Sequence, residues 1–294
     1  MMWKKMVSGT VCIFLLTGCG MLLSTAWAQQ SSTPKEIRVG LVPSMGEGDV
    51  EIYQALTEHL GKETGIAVKA YTAKDYAGII QALAYGQIEF ARLGPKSYVE
   101  AKEKSDIEVL ALELGKEGEP GYNGIIIVRK GSGIETFEQT KGKSFVFTEP
   151  DSTSGYLVPS VMFARDLKID PKTWFSSVGF SGSHGDSILA VKNGKADVAA
   201  VANKLLDRMV EKGEVKHEDF VILKTSELIP GPCFCALRNL PQDLKLAFQN
   251  ALISFNSHKE NLEKLQCGGY MKTDDKTYDI IRELEEMKKK LSTK

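Results

Sequence analysis

Ser152, Thr153 and Ser154 bring three hydroxyls together, with Gly155 directly after them. The chain enters this triplet through an apolar, strand-like run at residues 144–148 (S-F-V-F-T). It leaves through a helix-like apolar pattern at residues 156–167. A hydroxyl at such a junction can accept from the free N–H groups of the first helical turn. It can also turn its own proton outward. The unpaired N–H groups of that turn and the positive end of the helix dipole add to the same field. A strand, a hydroxyl-rich turn and a helix start therefore make a seat for an anion. The alternative is an ordinary Ser/Thr cap that holds no ligand.

Composition narrows what could sit there. The 294 residues are 43% hydrophobic and 26% charged, as in soluble globular proteins, with room for one large domain or two lobes. A formal net charge of −1 and the lack of a long basic run give no footing for nucleic acid. An anion would then be held by dipoles and hydroxyls rather than by a pool of Lys and Arg. No cofactor or metal is implied. The first residues read as an export signal, with Lys4 and Lys5 ahead of largely apolar stretches at residues 6–16 and 21–23. Ala26-Trp27-Ala28 gives a signal peptide of residues 1–28, and the alternative, Leu16-Thr17-Gly18-Cys19, a lipoprotein signal of residues 1–18 with lipid on Cys19. Both routes carry the chain to the periplasm, free or lipid-anchored. Beyond this segment lie Cys233, Cys235 and Cys267. Their spacing and the lack of a nearby His are poor for zinc. They read as small buried hydrophobes, with one bridge to Cys267 left open.

The elements that must position the triplet alternate. Residues 36–42, 66–71 and 88–93 read as strands, and residues 50–61 and 75–85 as helices, the first ending at Gly61 and the second stopped by Gly86. This order is that of an α/β protein with a mostly parallel sheet. An internal echo extends the pattern. Residues 80–93 (I-Q-A-L-A-Y-G-Q-I-E-F-A-R-L) and 188–201 (I-L-A-V-K-N-G-K-A-D-V-A-A-V) match at a constant offset of 108, pairing Gly86 with Gly194 and Glu89 with Asp197. Two similar α/β lobes follow, the first from residues 35–123 and 231–294 and the second from residues 124–230. The chain would cross between them twice, near residues 121–128 and 223–232, as a two-segment hinge able to close on a ligand. Residues 240–291 read as mostly helical. Ligands in such sheets sit beyond the carboxyl ends of the strands, where the triplet lies.

At this point the chain resembles the phosphonate-binding periplasmic proteins of ABC importers, within the type II periplasmic-binding fold. The most specific part is D-S-T-S-G-Y-L-V-P at residues 151–159. D-Y-A-G-I-I (75–80), P-G-Y (120–122), S-H-G-D-S-I-L-A-V (183–191) and L-I-P-G (228–231) support it. The resemblance implies that the triplet, a His and two Tyr hold the phosphonate oxygens. Matched by motif, these are Ser152, Thr153, Ser154, His184, Tyr76 and Tyr122. Lys96 and Lys204, which follow the two echoed strands, are expected to be solvated. The resemblance also implies a permease partner in the inner membrane and action as a monomer.

Two departures bear on the ligand. Members that take amino-alkyl phosphonates carry carboxylates near the cleft for the ammonium group. Here those places read Val201-Ala202-Asn203-Lys204 and Pro232, with no acid. A small anion without a charged tail is therefore expected, whether phosphate, phosphite or a short alkylphosphonate, unless Glu47, Asp49 or Glu227 reaches the cleft. Two other functions compete with import. A hydrolase would use Ser154 as nucleophile, His184 as base and Asp186 or Asp197 as the orienting acid, but there is no G-x-S-x-G elbow. A periplasmic sensor that presents the same anion to a membrane signalling partner would share the fold.

Overall fold

The run E-I-R-V-G-L becomes β1 (Glu36–Leu41), and a repeated strand–helix order builds outward from it. A computed structural model describes residues 34–46 and 50–292. The expected signal segment, Cys19, Glu47 and Asp49 lie outside the described residues. After β1 come α1 (Gln54–Thr64), β2 (Ala67–Tyr71), α2 (Tyr76–Ala84), β3 (Phe90–Leu93), α3 (Pro95–Lys104) and β4 (Ile107–Leu114). The first helix passes through Gly61 and stops only at Gly65, which takes the left-handed conformation at φ 70°. The chain then moves to β5 (Gly121–Arg129), β6 (Ser144–Phe147), α4 (Val158–Val161), α5 (Pro171–Trp174), β7 (Ser177–Phe180), α6 (His184–Lys192), β8 (Val198–Ala202), α7 (Asn203–Glu211) and β9 (Phe220–Pro230). It ends with β10 (Cys233–Leu237), α8 (Gln242–Ser254), α9 (Lys259–Lys264), β11 (Gly269–Lys272) and α10 (Asp279–Ser292).

Two sheets result, ordered β11-β4-β10-β3-β1-β2 and β7-β6-β8-β5-β9. Each is mixed rather than mostly parallel. β1 pairs in parallel with β2 and β3, but β10 runs antiparallel to both β3 and β4. In the second sheet β6 is parallel to β7 and β8, while β5 runs antiparallel to β8 and β9. The physical reason is the passage of the chain between sheets. β5 and β10 each arrive from the other sheet and enter against the βαβ direction. β5 lies in the second sheet from its first residue, so the passages fall at residues 115–120 and 231–232. Alternation along the strands buries both faces of each sheet. Cys233 and Cys235 face one core, while Phe234 and Ala236 face the other. Ile125 and Ile127 likewise oppose Ile126 and Val128. The three described thiols are buried and unbridged.

The echo at offset 108 extends well past the matched segments. It relates the first residues of β1 and β6 (Glu36, Ser144), of α2 and α6 (Tyr76, His184), of β3 and β8 (Phe90, Val198) and of α3 and α7 (Pro95, Asn203). The helix caps repeat as well. Asp75 accepts from the Gly78 N–H at 2.9 Å, and Ser183 accepts from the Asp186 N–H at 3.0 Å. The two halves are built to one plan.

Candidate functional site

Ser152, at the end of the turn after β6, caps a helical segment in which π-turns, Thr153–Leu157 and Met162–Asp166, flank α4. Its hydroxyl accepts from the Gly155 N–H at 3.0 Å. Only glycine fits at 155, because a Cβ there would lie 2.3 Å from the side chain of Thr148. Thr153 Oγ1 accepts from the backbone N–H of Lys96 at 2.9 Å, so it caps α3 across the seam and keeps its own proton to donate. Ser154 is 1% exposed, and among the described residues no group meets its hydroxyl in good hydrogen-bonding geometry, although the Tyr122 hydroxyl approaches it.

The pseudo-equivalent residues Tyr76 and His184 each take the first position of a helix, and both are 3% exposed. The backbone N–H of Ala202 donates to His184 Nδ1 at 3.1 Å. That nitrogen therefore carries no proton, and the ring's hydrogen sits on Nε2, 3.3 Å from Ser152 Oγ. Burial, and then the nearby charge of Lys204, pull the imidazole down to about 3. His184 is a neutral donor of one N–H. This arrangement does not suit a hydrolase. A catalytic His would donate from Nδ1 to an acid, whereas Asp186 bonds Ser183 and Asp197 bonds Ser144.

All six residues matched by motif, Tyr76, Tyr122, Ser152, Thr153, Ser154 and His184, line one cavity of about 30 Å³ between the sheets. Gly94 and Ala202, which cap α3 and α7, line it too. Five helical segments thus begin at its wall, and their positive ends converge there. Tyr122 comes from the second residue of β5, and burial raises the pKa of its phenol, which keeps it protonated as a donor.

The structure corrects the expectation of solvated lysines and of a site without cations. Lys204 is 9% exposed and Lys96 8%. Each is the second residue of its helix, the position that aims a side chain into the seam. Lys96 Nζ reaches Glu100 at 3.0 Å and Asp151 at 3.1 Å. Lys204 Nζ reaches Glu113 Oε1 at 2.6 Å and lies 5.1 Å from the centre of the Tyr122 ring. Arg92, 4% exposed, forks onto the same carboxylate at 2.6 and 2.8 Å. Burial alone would favour a neutral Glu113, but the charges of Arg92 and Lys204 overcome it and hold the carboxyl well below its ordinary value. Burial lowers the proton affinity of Lys204, offset in part by Glu113. Arg92, Lys204 and Ser44 line the cavity and were missed by reading the sequence. Glu227 does not reach it, lining instead a separate cavity of about 320 Å³ beside β9. Pro232, at the second departure from the aminophosphonate pattern, lies on the wall.

A family model described as "ABC transporter, phosphonate, periplasmic substrate-binding protein" matches residues 39–278. The chain belongs to this family. It is a periplasmic substrate-binding component of an ABC transporter, in a family of binding proteins rather than enzymes. It is 28% identical over 271 residues to the phosphonates-binding periplasmic protein of Escherichia coli, covering 90% of this chain and 79% of that one. It is also 28% identical, over 247 residues, to the phosphate-import protein PhnD of Mycolicibacterium smegmatis, covering 79% of this chain and 76% of that one. A solved binding protein of an ABC phosphonate transporter from Pseudomonas aeruginosa superposes with TM-score 0.82 at 28% identity, covering 89% of this chain and 88% of the other. Two relatives of equal identity are thus named for different anions. Within the family, residue identity at the cavity must decide the ligand.

Proposed function

We propose that the cavity binds a small, tail-less phosphorus oxyanion, namely phosphite, phosphate or methylphosphonate, for delivery to an inner-membrane permease. The observation that carries this reading is the set of donors that converge on one cavity from both sheets. Neutral Nε2–H of His184, the buried Ser154 hydroxyl, which no group among the described residues meets in good hydrogen-bonding geometry, and the starts of five helical segments meet around about 30 Å³. Oxyanions match donors of this kind, and a helix start favours negative charge. Tyr76 and Tyr122 supply the phenols, and Ser152 and Thr153 the remaining hydroxyls. The two lobes, residues 35–120 with 231–294 and residues 121–230, close on the ligand through the paired passages between the sheets. The protein acts as a monomer, with a signal peptide at residues 1–28 removed on export rather than a lipid on Cys19.

An ammonium tail entering this cavity loses water and needs a carboxylate partner. It meets Pro232 and the inward ammonium of Lys204 instead. Methylphosphonate, phosphite or phosphate is therefore expected to bind at least about tenfold more tightly than aminoethylphosphonate, a gap of about 1.4 kcal/mol. Calorimetry of the ligand-stripped protein with all four compounds at one pH checks this. Aminoethylphosphonate as the tightest of the four would refute the tail-less assignment.

A further inference from the structure

Hydroxyls and helix starts account for the oxygens of the ligand but not for two buried cations that line the same cavity. Arg92 and Lys204 both line the cavity, whereas Glu113, which binds both, stands behind them and does not. Two positive groups share one carboxylate, so one positive charge remains and faces inward. Among the described residues, the other groups packed around Lys204 do not cancel it. The Tyr122 ring of β5 lies against its ammonium. His184 of α6 is neutral, and burial keeps the Cys267 thiol, ahead of β11, protonated by raising it to about 12. A buried charge left without a partner is costly, and the cost falls when a bound anion supplies the missing charge.

We infer that Lys204, through its shared pairing with Arg92 on Glu113, makes the site select a dianion over a monoanion of the same shape. The inference rests on the reading of the cavity as a phosphorus-oxyanion site and adds the charge state it takes. The ligand's second ionisation then becomes part of recognition. A tetrahedral anion that can lose a second proton binds better once it has done so, and one that never can stays weak.

Methylphosphonate and methanesulfonate test this, since each places three oxygens and a methyl on a tetrahedral centre. The sulfonate carries one charge throughout, whereas the phosphonate gains a second between about pH 5.5 and 8.5. Calorimetry of the ligand-stripped wild type over that range is expected to show the phosphonate-to-sulfonate affinity ratio rising at least about tenfold. Glu149, which also titrates here, repels a dianion more than a monoanion as it ionises, so it works against the rise and cannot produce it. In Lys204→Met the Arg92–Glu113 pair persists as a neutral unit, and the rise is expected to collapse. Lys204→Arg is expected to restore it, which a purely structural role for the side chain would not predict. Lys204→Gln serves if the Met variant does not fold. A wild-type ratio that is flat with pH overturns the inference without any variant. So does a Lys204→Met or Lys204→Gln ratio that climbs as in the wild type. If the wild type bound neither anion, the oxyanion reading itself would fall and this inference with it, an outcome plainly different from a flat ratio.

Discussion

Ser154 and Thr153 are neighbours with the same functional group, yet they stand in different states. The Thr153 oxygen is already engaged by the Lys96 N–H, while the buried Ser154 hydroxyl, approached by that of Tyr122, meets no group in good hydrogen-bonding geometry among the described residues. Removing the Ser154 hydroxyl should therefore cost the protein little and the complex much. A hydrogen bond to a charged group contributes about 1.5–3 kcal/mol, so Ser154→Ala is expected to weaken oxyanion binding very roughly 10- to 100-fold with an unchanged melting temperature. Thr153→Ala is expected to weaken binding similarly and also to lose a helix cap, at about 1 kcal/mol of stability. Calorimetry paired with thermal unfolding separates the two, and identical behaviour of both variants would remove the distinction. That the hydroxyls, His184 and the two Tyr gather at one cavity was legible because each belongs to a local motif. The triad was not, because Arg92 and Lys204 meet Glu113 across 21 and 91 residues of chain. A lysine after a strand looks solvated until its tertiary partner is known. The one signal on hand was the echo, which sets Lys96 and Lys204 at equivalent positions and so argues for a shared inward direction.

The helix starts do the positioning, and α6 shows how tightly. Its first backbone N–H, on His184, donates to the Ser44 carbonyl of the loop after β1 at 2.9 Å. A Cβ on the next residue, Gly185, would lie 2.7 Å from the Met45 carbonyl oxygen. That oxygen is backbone and cannot swing aside like a side-chain tip. Gly185→Ala is therefore expected to wedge the seam open and weaken binding at least about fivefold although residue 185 is not on the cavity wall, in keeping with the 1–3 kcal/mol typical of overpacking. Calorimetry gives the affinity, and circular dichroism should show the secondary structure intact. Wild-type affinity would mean that the loop after β1 yields freely. At this scale most of the fold could be read, since strand and helix alternate and the echo announces two equivalent halves, although α1 runs past the Gly61 read as its stop. What could not be read is direction. Cys233–Leu237 is recognisable as a strand, but its antiparallel entry beside β3 follows from where the chain returns from the second sheet. The short β11, Gly269–Lys272, lies in a stretch that reads as helical because it is flanked by α9 and α10. Its pairing with β4 is long-range.

The two halves meet at charged groups, so the stability of the whole molecule should carry their titration. Glu149 follows β6 in one half and is 7% exposed. It accepts from the Asp151 N–H at 2.6 Å and lies near Asp75, the residue that caps α2 in the other half. Burial, together with the like charges of Asp151 and Asp75, pushes its carboxyl from an ordinary 4.5 up to about 7. Between those values the folded protein holds a proton that the unfolded chain has released. Stability from Glu149 is thus fully present below about pH 4.5 and lost as pH rises through about 7. His184 acts in the opposite sense. Its pKa falls from 6.5 to about 3 on folding, so its contribution is present above 6.5 and lost as pH falls. Where the two windows overlap, from about 4.5 to 6.5, the slopes oppose each other, and the wild-type profile understates both. Replacing Glu149 by Gln keeps the shape and removes one titration. The wild type is expected to be favoured over Glu149→Gln at the acid end and to lose that advantage steadily up to about pH 7, read as the difference in melting temperature across the range. The acid-side loss caused by His184 should then stand out in the variant. A difference that stays constant with pH would show that Glu149 keeps its ordinary affinity for the proton, and that the seam relaxes to let water reach it.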